Sequence, residues 1–248
     1  IYGLEMPESF KKLANNKKTD TLLYFGRDAI FKGTESLKNV VRLLDCAGVE
    51  YTTLEDEADS GAHLYFLIAK SEETRQKMVR CAEQLNKFKR VVVYDPADLK
   101  LFLREYKEWG IEISAEIIGF NKYINELIES GRLKVENSGK EYTMQDNYAV
   151  TRDLGDTETS RRIIGYCGTV KDMLLCGQDT MYAGSLVMNE YLPNAMKLVS
   201  ERRWEEARRI GATCIVTESP SEYLMLLQTK PADLKLITTE EMVLENLR

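Results

Sequence analysis

The chain has 248 residues, 44% hydrophobic and 30% charged, the balance of a globular protein with one large core or two ordinary domains. A net charge of −6 argues against a general nucleic-acid or anionic-membrane surface, and the longest apolar runs, such as 64–69, are far shorter than a bilayer span. A single histidine, His63, excludes a multi-histidine metal centre, and five scattered cysteines with no Cys-x-x-Cys spacing speak for a reduced, cytoplasmic protein.

In chain order, Met6 to Asn15 predicts a short helix with Pro7 in its first turn, and Thr21 to Gly26 an apolar strand. The spacing of Leu37, Val40, Val41 and Leu44 predicts a helix over 34–47 closed at Gly48. Val49 to Leu54 alternates as a strand and leads into an acidic turn holding Gly61. A helix over 72–88, a buried strand over 90–94, a helix over 96–109, a strand over 111–118 and a helix over 121–130 complete the first half. The second half repeats the order: strand 141–146, helix 157–166, strand 169–176, a long helix 188–210, strand 212–217, and helices 220–227 and 240–246. Strands alternating with helices imply βαβ units. The expected fold is α/β: two duplicated modules with mainly parallel sheets, related by a pseudo-twofold. They are a first module over 21–136 and a second over 137–248, after an N-terminal helix and linker over 1–20. The chain opens at Ile1 with no visible signal peptide, which leaves room for an upstream segment such as a further domain.

Two segments stand at matching places, 124 residues apart: Asp95-Pro96-Ala97-Asp98 and Ser219-Pro220-Ser221-Glu222. Each follows a strand and opens a helix. Asp95 and Ser219 are favoured N-cap residues, proline suits the next position, and Asp98 and Glu222 fall where a carboxylate can complete a capping box. Capping alone accounts for both segments.

The layout resembles the duplicated cysteine-rich (C-C-G) domain of heterodisulfide reductase subunits B and D and of the glycolate oxidase iron–sulfur subunit, over about Thr21 to Arg248. Tyr142 to Tyr148 stands where that family has Tyr-x-x-His-Asp-Pro-Cys, and Arg152 and Arg161-Arg162 follow as its later arginines do. Leu175-Cys176-Gly177 stands at Cys-Cys-Gly, and Thr217 to Glu222 at Thr-x-Cys-Pro-x-Cys. In the first half, Gly26-Arg27, Asp59-Ser60-Gly61 and Asp95 to Asp98 take the places of Gly-Cys, Cys-Cys-Gly and Cys-Pro-x-Cys. The resemblance implies vestigial cluster positions at Arg27, Asp59, Ser60, Asp95, Asp98, Tyr148, Leu175, Cys176, Ser219 and Glu222, of which only Cys176 keeps a thiol. Iron–sulfur clusters need thiolates, so no iron–sulfur cluster and no other cofactor is expected.

Beside the resemblance, Cys176 is a candidate nucleophile or redox thiol, against the plainer reading of a leftover buried cysteine. Cys46, Cys81, Cys167 and Cys214 read as small core residues. His63 with Glu57, Asp95 and Asp98 is a candidate site for a hard divalent cation, against a solvated acidic loop beside a helix cap. Glu201 to Arg209 mixes charges at helical spacing and reads as a salt-bridged solvent face, from which Trp204 and the arginines could anchor a partner. The function implied is a cluster-less, non-redox subunit of a cytoplasmic oxidoreductase complex, partnered by other subunits or by itself, with no nucleic acid and no direct membrane insertion. The alternative is an enzyme or sensor that reuses the vestigial clefts.

Overall fold

The computed structural model describes residues 5–248. It is α/β with two parallel sheets. Strands β1 (Thr21–Tyr24), β2 (Arg90–Val93) and β3 (Glu116–Gly119) pair in the order β1-β2-β3. Strands β4 (Glu141–Gln145), β5 (Thr169–Val170), β6 (Cys214–Thr217) and β7 (Lys235–Thr238) pair in the order β5-β4-β6-β7. The central strands are apolar and buried, as Val91, Val92 and Val93 of β2 and Ile215 and Val216 of β6 illustrate, because helices cover both faces of a parallel sheet.

The chain divides into two compact units. Among the described residues, the N-terminal unit holds β1–β3 and comprises 5–34 together with Val49–Phe120. The C-terminal unit holds β4–β7 and comprises Glu35–Gly48 together with Asn121–Arg248. The helix Thr34–Cys46, although it lies early in sequence, therefore belongs almost entirely with the second half. Its buried face, Leu37, Val40, Leu43 and Leu44, is close to the predicted set; Val41 stays half-buried.

Several elements differ from the sequence expectation. Val49 to Leu54 makes only a parallel bridge between Leu22 and Thr52, because the backbone at Thr53 is spent on Asn15 and Asn16. The strand expected over 169–176 stops after Val170, and the chain enters a short 3-10 turn at Gly177–Asp179. The single helix expected over 188–210 is two, Leu186–Tyr191 and Pro193–Arg209. Proline lacks the N–H that would continue the first, and Leu192 before it leaves the helical region at φ −135°, ψ 58°. The helix over 96–109 forms with a π-helical turn at Leu101–Glu105 inside it. The helices Arg27–Lys32 and Ala62–Ile68 and the strand β7 have no counterpart in the sequence reading. Among the described residues no helix is long and apolar enough to cross a membrane.

The segment 201–209 is a salt-bridged solvent face on one side only: Arg202, Glu205, Arg208 and Arg209 are exposed, with Arg202 paired to Glu205 and Glu206, and Arg208 to Asp233. Arg203, Trp204 and Glu206 are buried, and the Trp204 indole donates to Leu226 O at 3.1 Å, so the tryptophan is core and not a free anchor. Cys46 is exposed, while Cys81, Cys167 and Cys214 are buried and Cys176 is intermediate.

Candidate active site at the strand ends of the N-terminal unit

In both units the residues singled out by sequence collect at the carboxyl ends of the parallel strands, where α/β sheets bind their ligands. In the N-terminal unit β1 runs into Phe25-Gly26 and then the helix Arg27–Lys32, and β2 runs into Asp95-Pro96 and its helix. Gly26 has φ +88°, and a Cβ there would collide with the Asp98 carboxylate and come within 2.9 Å of Asp95 Cβ. That close approach of the two strand ends demands glycine.

Five carboxyls converge here. Glu57 accepts from Phe25 N (2.8 Å) and Gly26 N (2.9 Å), fixing the β1 turn. Asp95 caps its helix through Ala97 N (2.9 Å). Asp98 does not turn back to that cap; it accepts from Ser60 Oγ at 2.5 Å. Asp28 lies 2.9 Å from His63 Nε2. Asp59 meets Lys77 at 2.8 Å and Arg27 Nε at 4.0 Å. Asp28, Glu57, Asp95 and Asp98 are buried, whereas Arg27, Asp59, His63 and Lys77 form a partly exposed rim.

The ionisations follow from this layering. Burial pushes Glu57 up to about 7 against its two backbone donors. Burial, then repulsion from Asp98 and Asp28, holds Asp95 well above the carboxylate range, and burial raises Asp98 even though Ser60 favours its ionised form. At the rim, burial of Asp59 is the largest single influence, but the hydrogen bonds from Lys77 and Gly61 N and the charges of Lys77 and Arg27 together outweigh it, so its pKa is lowered. Burial would depress His63, but the hydrogen bond and charge of Asp28, aided by Asp95 and Asp59, raise it. The result is a titrating imidazole above carboxyls that resist ionisation, an arrangement suited to proton transfer. Among the described residues no group of three or more His, Cys, Asp or Glu side chains is placed to hold a metal ion.

The corresponding place in the C-terminal unit is a dense hydrogen-bonded network, although Arg203 Nη2 is buried without a hydrogen-bond partner. Ser219 caps its helix by accepting from Glu222 N, while the Glu222 carboxylate accepts from Gln145 Nε2 (3.3 Å), Asn147 Nδ2 (3.0 Å) and Ala183 N (3.0 Å). Asp146 takes two bonds from Arg161 (2.7 and 2.8 Å) and one from Gly177 N (2.7 Å). Arg203, fully buried, donates Nε to Gln145 Oε1 (2.7 Å) and Nη1 to Leu175 O (3.3 Å). Tyr148 packs edge-on to Tyr182 at 5.9 Å. Cys176 begins the 3-10 turn, and burial followed by Asp172 raises its pKa, which disfavours the thiolate a nucleophile requires. Burial raises Glu222 to about 7 here, against the donors from Ala183, Asn147 and Gln145.

Asp28, which the sequence reading does not single out, and Arg203, which it places on a solvent face, both carry weight in these sites. Asp28 stands two residues beyond a glycine at a strand end, a place where side chains face the ligand side of a sheet. Arg203 lies on one helical stripe with Met196, Ser200 and Ala207, so period alone places it on the buried face.

No family model matches the chain, and no curated protein matches it. Solved structures similar to it include glutamate racemase isoform RacE1 from Bacillus anthracis, with 14% identity, covering 93% of this chain and 80% of that one, at a TM-score of 0.41. Another is PH1733, an aspartate racemase homologue from Pyrococcus horikoshii OT3, with 8% identity, covering 92% of this chain and 96% of that one, at a TM-score of 0.35. These neighbours are not cysteine-rich iron–sulfur proteins. The resemblance to the heterodisulfide reductase family is corrected accordingly. With it goes the role as a cluster-less subunit of an oxidoreductase complex, and the vestigial-cluster label on the ten positions rested on that resemblance alone. What had suggested the family was a repeated strand–Pro–helix junction, and capping chemistry produces that junction without any cluster ancestry.

Proposed function

We propose that the protein is an enzyme whose N-terminal unit performs acid–base chemistry on a small polar substrate. The observation that supports this most directly is the 2.9 Å contact between Nε2 of the chain's one histidine and the buried Asp28 carboxylate, at the carboxyl end of a parallel sheet. In this reading His63 exchanges a proton with substrate, and Asp28 orients the ring and stabilises its protonated form. Asp95 and Asp98, kept protonated by burial and mutual repulsion, serve as hydrogen-bond donors to the substrate, and Arg27 and Lys77 neutralise Asp59 at the rim. With Asp95 and Asp98 uncharged, Asp59 met by Arg27 and Lys77, and Asp28 paired with His63, the cluster carries little net charge and presents hydrogen-bonding groups suited to a small polar substrate.

The experiment is incorporation of solvent deuterium, followed by NMR, into a panel of small amino, hydroxy and oxo compounds of either charge incubated with the protein in D2O. A general acid–base residue contributes on the order of 10²–10⁴-fold. Loss of that size is expected in His63→Ala, with a smaller loss in Asp28→Asn. A turnover that His63→Ala leaves intact would refute the assignment.

A further inference from the structure

The helix Ala62–Ile68 follows the Ser60-Gly61 corner of the acidic cluster and carries His63 in its first turn. It differs from its neighbours in three ways. None of its seven residues is buried, whereas the next helix, Glu72–Leu85, buries Thr74, Met78, Cys81, Ala82 and Leu85. Its second half turns Phe66 (49% exposed), Leu67 and Ile68 (54%) to solvent, so an apolar sequence is held without a core to hold it. Both its ends are backbone corners: Gly61 is left-handed at φ +84°, and Ala69 sits at φ +53°, ψ −128°, a conformation that side-chain-bearing residues rarely adopt.

The chain on either side is fixed. Ser60 bonds Asp98 and accepts from the Tyr106 hydroxyl at 2.8 Å, and Ser71 caps the following helix through Thr74 N at 3.0 Å. Between those two points the ties include the His63–Asp28 contact, the Tyr65 ring edge-on to Trp109 at 5.8 Å, Ala62 N on Ser60 Oγ beside the Gly61 corner, and Lys70 over the Trp109 ring beyond Ala69. Rigid flanks, two corner residues and a stretch without buried anchors are the parts of a hinged flap.

We infer that Ala62–Ile68 is a lid on the N-terminal unit's acidic cluster, hinged at Gly61 and Ala69 and latched by His63 on Asp28. Swinging the helix away withdraws His63 and uncovers Asp28 at the β1 turn; closing it returns the imidazole to the buried carboxylate. What the lid serves rests on the acid–base reading above, but whether it moves does not.

Hydrogen exchange of the full chain without ligand tests the lid. Amides of 62–69 are expected to exchange about 100-fold faster than those of 72–85, as a sub-global opening requires. His63→Ala and Asp28→Asn should each speed 62–69 by about a further tenfold and leave 72–85 and 214–217 unchanged. In a Trp204→Phe background, Trp109 emission should shift in the same variants, because Tyr65 travels with the lid. Equal protection of 62–69 and 72–85 in the unmodified protein would overturn the inference, as would latch variants that leave 62–69 unchanged. Should His63→Ala abolish turnover while the exchange stays flat, the lid falls and the acid–base reading stands. Should the exchange respond as expected while no compound in the panel takes up deuterium, the lid stands and that reading falls.

Discussion

Replacing Glu218 by glutamine should stabilise the protein near pH 8 and do little near pH 5. Glu218 follows β6, where its Oε2 accepts from Asn121 Nδ2 at 2.8 Å and from Ser160 Oγ at 3.1 Å. Burial, then the charge of Asp146, raises it from 4.5 to about 8. A carboxyl with a raised folded pKa contributes stability that is fully present below its unfolded value and is lost as pH rises through the folded one. Here that window runs from 4.5 to about 8. At about 1.4 kcal/mol per pH unit the whole loss is at most about 5 kcal/mol. At 9% exposure Glu218 keeps some hydration, so about 2–4 kcal/mol between pH 5 and pH 8 is the expected range. Glutamine has nothing to ionise and keeps an oxygen for Asn121 and Ser160, so it sacrifices about 1 kcal/mol or less in acid. Urea denaturation of both proteins at pH 5, 6, 7 and 8 should give stability curves that diverge with pH, the variant ahead at pH 8. Parallel curves would refute the reasoning, because they would mean that Glu218 titrates alike in the folded and unfolded chains.

Gly26→Ala should cost about 2–4 kcal/mol in the same assay, since the residue sits at φ +88° and its new methyl meets the Asp95 and Asp98 side chains. Arg203→Met should cost about 3 kcal/mol by leaving Gln145 Oε1 and Leu175 O without their donor and Glu222 without a nearby positive charge, read as a fall in urea midpoint. Ser60→Ala removes the hydroxyl that favours ionised Asp98, so its destabilisation, about 1–2 kcal/mol, should grow from acid to alkaline pH. A deficit that is the same at both extremes would show that Asp98 does not titrate across the range.

Where local chemistry decides structure, the sequence was legible. Leu37, Val40 and Leu44 mark the helix face that is buried, and Asp95 and Ser219 cap the helices that their prolines begin. Where a distant partner decides, it was not. Thr53 has the composition of a strand residue, but Asn15 and Asn16 take its backbone bonds. Arg203 has the charge of a surface residue, yet Gln145, 58 residues away, draws it into the interior. Asp98 stands at the box position of its cap, and Ser60 claims it from another loop. The acidic cluster was half visible: Glu57, His63, Asp95 and Asp98 were candidates as metal ligands. Missing Asp28 hid the contact that turns them into a site for moving protons.

The early helix Thr34–Cys46 has a consequence for how this polypeptide comes into being. Because residues 35–48 complete the C-terminal unit, the ribosome releases a helix whose apolar stripe has no home until the chain beyond Asn121 has emerged. Neither unit is a contiguous stretch of the gene product, so no single cut can separate them intact. Leu37, Val40, Leu43 and Leu44 must wait through the synthesis of residues 49–120 before the rest of their unit begins to emerge.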